Sequence, residues 1–422
     1  MKIVHVTDAF APVMGGIETQ VAALAFQQAV SGDDVTVLTT TMQHPRRGVG
    51  ISASEKLVRE NASDEVPYRV IRSEWPNPAG FPVDPRAAKR FEELIGNEQP
   101  DVVHIHVGEL TPVATHVLLR LQDSTVPTVV SVHSIWSGFP TVPLYRAGAR
   151  VVGLEDAPVI WLPNSELTAT AVRKVIDSER VRVQNNSVDA AGWQVAPIPH
   201  EGLVAVSATR FAPRKRVPEL LEILRDAGHS LGINGPLSMP RSEARKDSRT
   251  ANASETSLRT RTEVVPGAYP LRVVIAGEGS GLESAERFIE SNGMTGWVSL
   301  PGRLDKADLV NLYAQSDIYL SPSVKDAFSI SGLEARAAGL AILSRSQSGF
   351  GAAVHDGVEG RSVATDQEMT STLVEWAREP EAVEAYKRHN RQTPMPYTWD
   401  HALPQFKRHY EDAAELRNLG RH

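Results

Sequence analysis

Twice along the chain, short β-branched runs alternate with longer helical stretches, and that alternation limits what the chain can fold into. In the first half the runs are Lys2–Thr7, Asp34–Thr41, Tyr68–Ser73, Val102–His106, Thr128–His133 and Val159–Leu162. In the second they are Leu203–Arg210, Leu271–Gly277, Trp297–Pro301, Ile318–Ser321 and Leu340–Arg345. Many read as continuous apolar segments, the pattern of parallel strands buried on both faces with helices as crossovers. Two such series predict an α/β protein of two doubly wound domains, and 422 residues is length enough for both. The aperiodic stretch Val195–Gly202, with Pro197 and Pro199, sets the expected boundary: one domain over 1–195 and another over 196–401. A last helical pattern over about 402–417 carries Leu403, Phe406, Tyr410 and Ala414 on one face, and packing back on the first domain is open to it. Residues 236–266, rich in Ser, Thr, Arg and Glu, read as a solvated insertion whose acids dilute its basic charge.

Composition then removes whole classes of function. Lys plus Arg number 44 against 51 Asp plus Glu, a net charge of −7, so there is no global basic field for nucleic acid. The chain has no cysteine, which removes disulfides, thiolate catalysis and Cys-ligated metals and fits a reducing compartment. Asp8 interrupts the first apolar segment, so no signal-peptide core is expected, and no run approaches the ~20 apolar residues of a membrane helix. The expectation is a cytoplasmic protein without a transmembrane segment, with peripheral contact at the inner face of a membrane left open. No Gly-Lys pair occurs, which excludes a Walker A loop, and no Asp-x-Asp pair occurs to hold a metal. Gly277-Glu278-Gly279-Ser280-Gly281 is a weak dinucleotide signal without a supporting acid.

Four places carry candidate chemistry. Ala11–Glu18 follows the first strand and opens a helix; Gly15 and Gly16 let a ligand approach the backbone, and the helix start offers free N–H groups to a phosphate. An ordinary tight turn is the equal alternative. Arg210, Arg214, Lys215 and Arg216 lie just after a strand, at the end where ligands of open α/β sheets bind, and their charge suits a diphosphate. The plainer alternative is a solvated charge run. Asp326 and Glu334 stand eight residues apart on a loop and the helix after it, suited to sugar hydroxyls, where a capping acid and an exposed helix residue would be the structural alternative. His104 and His106 share one face of a strand, and His133 ends the next. A zinc site from the three lacks a supporting carboxylate; the stronger reading has His133 facing a cleft and the other two partly structural.

Taken together, the Gly15-Gly16 loop, the Arg210/Lys215 pair and the Asp326…Glu334 spacing resemble glycosyltransferase family 4. The resemblance spans nearly the whole chain, with lesser matches at Asn186–Asp189, Ala276–Gly279, Pro301–Arg303 and His355–Gly360. It implies the GT-B fold, two facing Rossmann-like domains with an interdomain cleft. It implies a retaining transferase that moves a hexose of mannose or glucose type from a GDP- or UDP-linked sugar. The acceptor would be a hydroxyl, lipid-linked, glycan or small molecule, with no metal and no further cofactor. By the resemblance His133, Arg210, Lys215 and Asp326 do the chemistry. Gly15, Gly16, Gly302, Arg303, Phe328, Ser329, Ile330 and Glu334 join Arg210, Lys215 and Asp326 around the donor. Arg210 and Lys215 match the pair on the diphosphate, and Glu334 the acid on the ribose. The chain departs from the pattern at Asp326, where Glu is usual, and at Ser187 and Ser329, where Gly is usual. The segment Ser348–Ala352 also lacks the acid often found there.

Two alternatives stand beside this. An epimerase of the same fold would convert the donor with no acceptor. A catalytically weak module would bind nucleotide or glycan without turnover. The base, the acceptor and the oligomeric state are not legible, although Arg46, Arg47 and Trp75 are candidates for touching a polar head group.

Overall fold

The structure, a computed structural model, describes residues 1–13, 15–42, 56–63, 66–74, 86–108, 111–136, 153–155, 157–176, 178–233 and 269–419. The insertion at 236–266 and the candidates Arg46, Arg47 and Trp75 lie outside the described residues. The chain forms two compact α/β units. Unit 1 is Met1–Val188 with Ala327–Ile330 and Tyr397–His422; unit 2 is Asp189–Asp326 and Ser331–Pro396. The division therefore falls at Val188/Asp189 and not after residue 195. The reason is local: Trp193, in a short turn over Ala191–Trp193, stacks on Tyr313 of unit 2 with ring centroids 5.7 Å apart.

Unit 1 runs β1 (Lys2–Thr7), α1 (Gly16–Val30), β2 (Asp34–Thr39), β3 (Lys56–Glu60), β4 (Arg69–Glu74), α2 (Ala87–Glu98), β5 (Val102–Val107), α3 (Pro112–Arg120), β6 (Thr128–Val132), β7 (Val159–Pro163) and α4 (Glu166–Val172). Its seven strands lie in the order β3-β4-β2-β1-β5-β6-β7, parallel except for β3. Strand β3 escapes the sequence reading because it is a charged antiparallel edge with no apolar run. Unit 2 runs β8 (Leu203–Ala208), α5 (Val217–Ser230), β9 (Leu271–Ala276), α6 (Leu282–Ser291), β10 (Val298–Gly302), α7 (Lys306–Ala314), β11 (Ile318–Ser321), α8 (Ile330–Ala337), β12 (Ala341–Arg345), α9 (Gly349–Ala353), β13 (Gly360–Val363), α10 (Asp366–Arg378) and α11 (Pro380–Gln392). Its six strands are all parallel, in the order β10-β9-β8-β11-β12-β13. Here too an edge strand, the four-residue β13, carries too little pattern to be read in advance.

The last helix, α12 (Trp399–Leu419), packs on unit 1. One face of the unit 1 sheet is covered by α2, α3 and α4 through residues such as Phe91, Val113 and Val172. The other is covered by α1 and α12, where Val21 and Leu24 meet Trp399, Phe406 and Tyr410. Burial on both faces is what the continuous apolar strands require. The far end of α12 is fastened by Arg417, which donates to the backbone carbonyls of Gln122 at 2.7 Å, Leu121 at 2.8 Å and Val126 at 3.2 Å. These carbonyls lie beyond the C-terminus of α3, where helices leave acceptors unmet and cations are favoured.

In each unit the strand order reverses at one point, between β1 and β5 in unit 1 and between β8 and β11 in unit 2. Ligands of open α/β sheets bind outside the carboxyl ends of strands at such points. Replacing Arg417 leaves three acceptors short of a charged donor at a buried site. We expect Arg417→Ala to cost about 2–4 kcal/mol, from the usual range for lost charge-assisted bonds and unmet buried acceptors, read as a lowered thermal or urea midpoint with an unchanged m-value.

Candidate functional site

In unit 1 the carboxyl end of β1 leads into the glycine loop. Gly15 is extended (φ −171°) and caps α1 without a side chain, its carbonyl accepting from Thr19 N at 3.0 Å. The first N–H groups of α1 therefore have no partner within the helix. No atom lies within 4 Å of where a Cβ on Gly16 would sit. Among the described residues nothing demands glycine there, and a Cβ would meet none of them. Asp8, in the same loop, caps a different helix: its carboxylate accepts from Val113 N at 3.0 Å and Ala114 N at 2.7 Å, at the start of α3. Burial raises the Asp8 pKa to about 6 against the pull of those two bonds.

His133 follows β6, its backbone N–H still bonded to Val107 O. Its ring belongs to a chain of buried polar groups under the α1/α12 face. His133 Nε2 lies 3.1 Å from His106 Nδ1, His106 Nε2 lies 2.9 Å from His5 Nδ1, and His5 Nε2 lies 2.7 Å from Gln28 Oε1. Gln28 Nε2 donates to Tyr410 OH at 2.8 Å; His104 bonds Tyr410 OH through Nδ1 and Ser131 Oγ through Nε2. Burial holds His5 and His133 at about 4 and lowers His104 and His106 well below the usual range, so all four are neutral at pH 7. His5, His104 and His106 are close enough to one another to share an ion. Yet all six of their ring nitrogens already have hydrogen-bond partners, so the cluster is satisfied as a polar network. His104 and His106 alternate along β5 as the sequence suggests, but the zinc triad with His133 is replaced by a chain reaching His5, Gln28 and Tyr410. His5 and Gln28 escaped the sequence reading, and Tyr410 entered it only as a packing residue of the last helix; the available signal was a histidine at position 5 inside an apolar strand, paired in register with His104.

In unit 2 the four cations after β8 have different fates. Arg216 is structural: it bonds both carboxylate oxygens of Asp366 (3.1 and 2.7 Å), Glu219 at 3.2 Å and Pro322 O at 3.1 Å. Lys215 donates to Asp326 at 2.6 Å, with both side chains largely buried. Arg210 and Arg214 are exposed and make no ion pair among the described residues. The loop that carries Arg210 is held by the glycine run after β9: Phe211 N bonds Glu278 O at 2.9 Å and Gly281 N bonds Phe211 O at 3.1 Å. Gly277 has φ +149°, and a Cβ there would fall 1.8 Å from Thr209 O. The Gly277–Gly281 run thus serves backbone packing under the Arg210 loop, and its weak dinucleotide reading gives way to that.

Asp326 does not cap α8; it pairs with Lys215, and its carbonyl accepts from Gly349 N at 2.8 Å. The N-terminus of α8 is tied to the end of β8 by Ser331, whose hydroxyl donates to Ala208 O at 2.9 Å and bonds Tyr319 OH at 2.7 Å. Glu334, one turn into α8, is partly exposed, and burial of its carboxyl raises its pKa to about 7 although nearby Lys306 pulls it down. Gly302 (φ +81°) sits in a β-bulge and accepts from Gly277 N at 2.8 Å. Arg303 beside it is half exposed, 3.6 Å from Glu278. Phe328, Ser329 and Ile330 group with unit 1, where Phe328 O accepts from Asn186 Nδ2 at 2.9 Å and its ring meets Tyr397 edge-on at 5.1 Å. Phe328 and Ser329 are buried and Ile330 is half-buried.

Within each unit, then, the expected site residues gather at the carboxyl ends of strands. Gly15, Gly16 and His133 do so in unit 1, and Arg210, Lys215, Gly302, Arg303, Asp326 and Glu334 in unit 2. Free N–H groups and unpaired cations suit anionic oxygens, and the carboxylates suit hydroxyls.

Comparison with known proteins finds family matches in both halves of the chain. The model for "Glycosyltransferase Family 4" matches residues 14–191, and the model for "Glycosyl transferases group 1" matches residues 258–393. A phosphatidyl-myo-inositol mannosyltransferase of Mycolicibacterium smegmatis is 22% identical over 408 residues, spanning 94% of this chain and 90% of the relative. A D-inositol 3-phosphate glycosyltransferase of the same organism is 26% identical over 414 residues, spanning 90% and 87%. The crystal structure of Anabaena HepE in complex with UDP and glucose aligns with a TM-score of 0.66 at 15% identity, covering 97% of this chain and 98% of that one, a likeness of fold.

The raised Glu334 pKa has a sign that can be checked. A carboxyl held at about 7 when folded and near 4.5 when unfolded costs no stability below pH 4.5; the cost builds as pH rises from 4.5 to 7 and levels off above that. We expect Glu334→Gln to match wild type at pH 4.5 and to exceed it in stability at pH 8, by up to about 3 kcal/mol, measured by urea denaturation across that range.

Proposed function

The chain belongs to the group 1 glycosyltransferases, is family 4-like and has the GT-B fold, and from that premise we propose a specific reaction for it. It moves a hexose of mannose or glucose type from a nucleoside-diphosphate sugar, GDP- or UDP-linked, to a hydroxyl acceptor, with the anomeric configuration retained. What carries the reading is the arrangement at the carboxyl end of the unit 2 sheet. Arg210 is exposed after β8 without an ion-pair partner among the described residues, and Lys215, five residues further along the same loop, is bound 2.6 Å from Asp326.

As the glycosidic C–O bond breaks, negative charge grows on the departing diphosphate. Arg210, Lys215 and backbone N–H groups meet that charge where it develops, so the step needs no bound metal. The carboxylate of Asp326 orients Lys215 and accepts from sugar hydroxyls; Glu334 takes the ribose hydroxyls when ionised. The sugar becomes oxocarbenium-like, the acceptor oxygen attacks from the face the diphosphate leaves, and the leaving phosphate takes the acceptor proton. His133, neutral at pH 7, orients the sugar by hydrogen bonding. The relatives named for phosphatidyl-myo-inositol and D-inositol 3-phosphate support an acceptor that is a lipid head group or a small polyol. No helix among the described residues is long and apolar enough to cross a membrane, so a lipid acceptor would be met by peripheral contact at the inner face.

A thermal-shift screen of nucleoside diphosphates identifies the base. A ligand at 100 times its Kd stabilises by about 2.7 kcal/mol, and no shift with any of them counts against the reading. NMR of the transferred sugar then reports the anomer. Two substitutions separate function from folding. Lys215→Ala should lower turnover ~30–1000-fold, about 2–4 kcal/mol of transition-state stabilisation, in a protein that still folds. Gly16→Ala places its methyl in open space and should keep or slightly raise the melting point, while nucleotide-sugar turnover drops because the ligand has lost its close approach.

A further inference from the structure

We infer that Gln28 is a positioning residue: through His5 and His106 it holds His133 as the Nε2–H tautomer, so that the ring offers Nδ1 as a hydrogen-bond acceptor. The inference rests on His133 facing the donor sugar, as proposed above. It goes further in saying which atom of the ring serves and what kind of group can meet it.

The argument is a chain of donors and acceptors. A neutral imidazole has one N–H and one lone pair, so a bond at one nitrogen decides the role of the other. Gln28 turns Nε2 toward Tyr410 OH and Oε1 toward His5 Nε2. The amide oxygen only accepts, so His5 carries its proton on Nε2 and presents a lone pair at Nδ1. His106 must then donate from Nε2 to His5 Nδ1, which leaves a lone pair at its own Nδ1. His133 must donate from Nε2 to His106 Nδ1, which leaves a lone pair at its own Nδ1. The other arm agrees: Tyr410 accepts from Gln28 and so donates to His104 Nδ1, and His104 donates from Nε2 to Ser131 Oγ. No described residue bonds His133 Nδ1. Along the Gln28–His5–His106–His133 arm, reversing one link reverses them all, because any mixed arrangement there sets two lone pairs or two N–H groups against each other in a buried site. The Gln28 amide is the one group in the chain whose two ends differ chemically, so it sets the direction for all of it.

A ring presenting a lone pair accepts from a hydroxyl and repels a phosphate oxygen. The chain therefore assigns His133 to a sugar hydroxyl and leaves the diphosphate to other groups. It also bars proton donation by the ring during transfer, unless the whole chain reverses.

The test is ¹⁵N NMR of the protein labelled at its 13 histidines, with the His133 signal assigned from His133→Asn. Wild type should show His133 protonated at Nε2 and bare at Nδ1; the opposite tautomer overturns the inference without any activity measurement. Gln28→Met removes the anchoring acceptor at similar volume, and His133 should shift toward the Nδ1–H form. Gln28→Glu still accepts from His5, and His133 should keep Nε2–H. In Gln28→Met, turnover should fall on the order of tenfold, about 1.4 kcal/mol of barrier, with donor KM changed much less. A His133 tautomer that ignores both substitutions overturns the relay. If the tautomers behave as stated but wild type transfers no sugar from any donor, the relay stands and the transferase reading falls alone.

Discussion

A parallel sheet covered on both faces leaves only its ends free for chemistry, and this constraint shapes both units. Strand hydrogen bonds occupy the middle of each sheet, and helices such as α1 and α12 bury its faces. Side chains that must meet a ligand are left to the loops at the carboxyl ends, and the reversals between β1 and β5 and between β8 and β11 open room there. Gly16 follows β1, His133 follows β6, Arg210 follows β8 and Asp326 follows β11. The same constraint makes the helices beside those loops useful, since each begins with N–H groups that its own turns do not satisfy.

Charge is arranged with equal economy after β8. Of four cations in seven residues, Arg216 is spent on Asp366, Glu219 and a carbonyl, and so holds the loop in place. Lys215 is restrained by Asp326, and Arg210 and Arg214 are left in solvent. A run that looks uniform in sequence is thus a scaffold, a tethered cation and two cations exposed without an ion pair among the described residues. The two glycine-rich loops divide in the same manner. Gly277 is forced by a carbonyl that would lie 1.8 Å from any Cβ, whereas none of the described residues forces Gly16. A glycine without a structural reason is the more informative of the two about a ligand.

The histidines show the opposite economy, a buried polar chain where an apolar core would serve stability as well. His5, His104 and His106 lie under the α1/α12 face with every ring nitrogen bonded, and burial keeps them uncharged at neutral pH. A network so complete gives a directional hydrogen-bond pattern to the one ring at its end, His133.

What the sequence determined by itself was what local pattern encodes. Continuous β-branched runs marked eleven of the thirteen strands among the described residues, since burial on both faces requires them. Motif spacing placed Gly16, His133, Arg210, Lys215, Asp326 and Glu334 on their loops and helix, because a loop after a parallel strand is a local event. Two edge strands escaped, β3 for its charge and β13 for its four residues, since edges need little apolar pattern. Only the tertiary structure decided what depends on distance in space. It joined Gln28 and Tyr410, 382 positions apart, and showed which cation meets which acid, with Lys215 and Asp326 separated by 111 positions. Hydrogen bonds and ion pairs are set within about 3 Å of space, and a linear pattern carries no term for that distance.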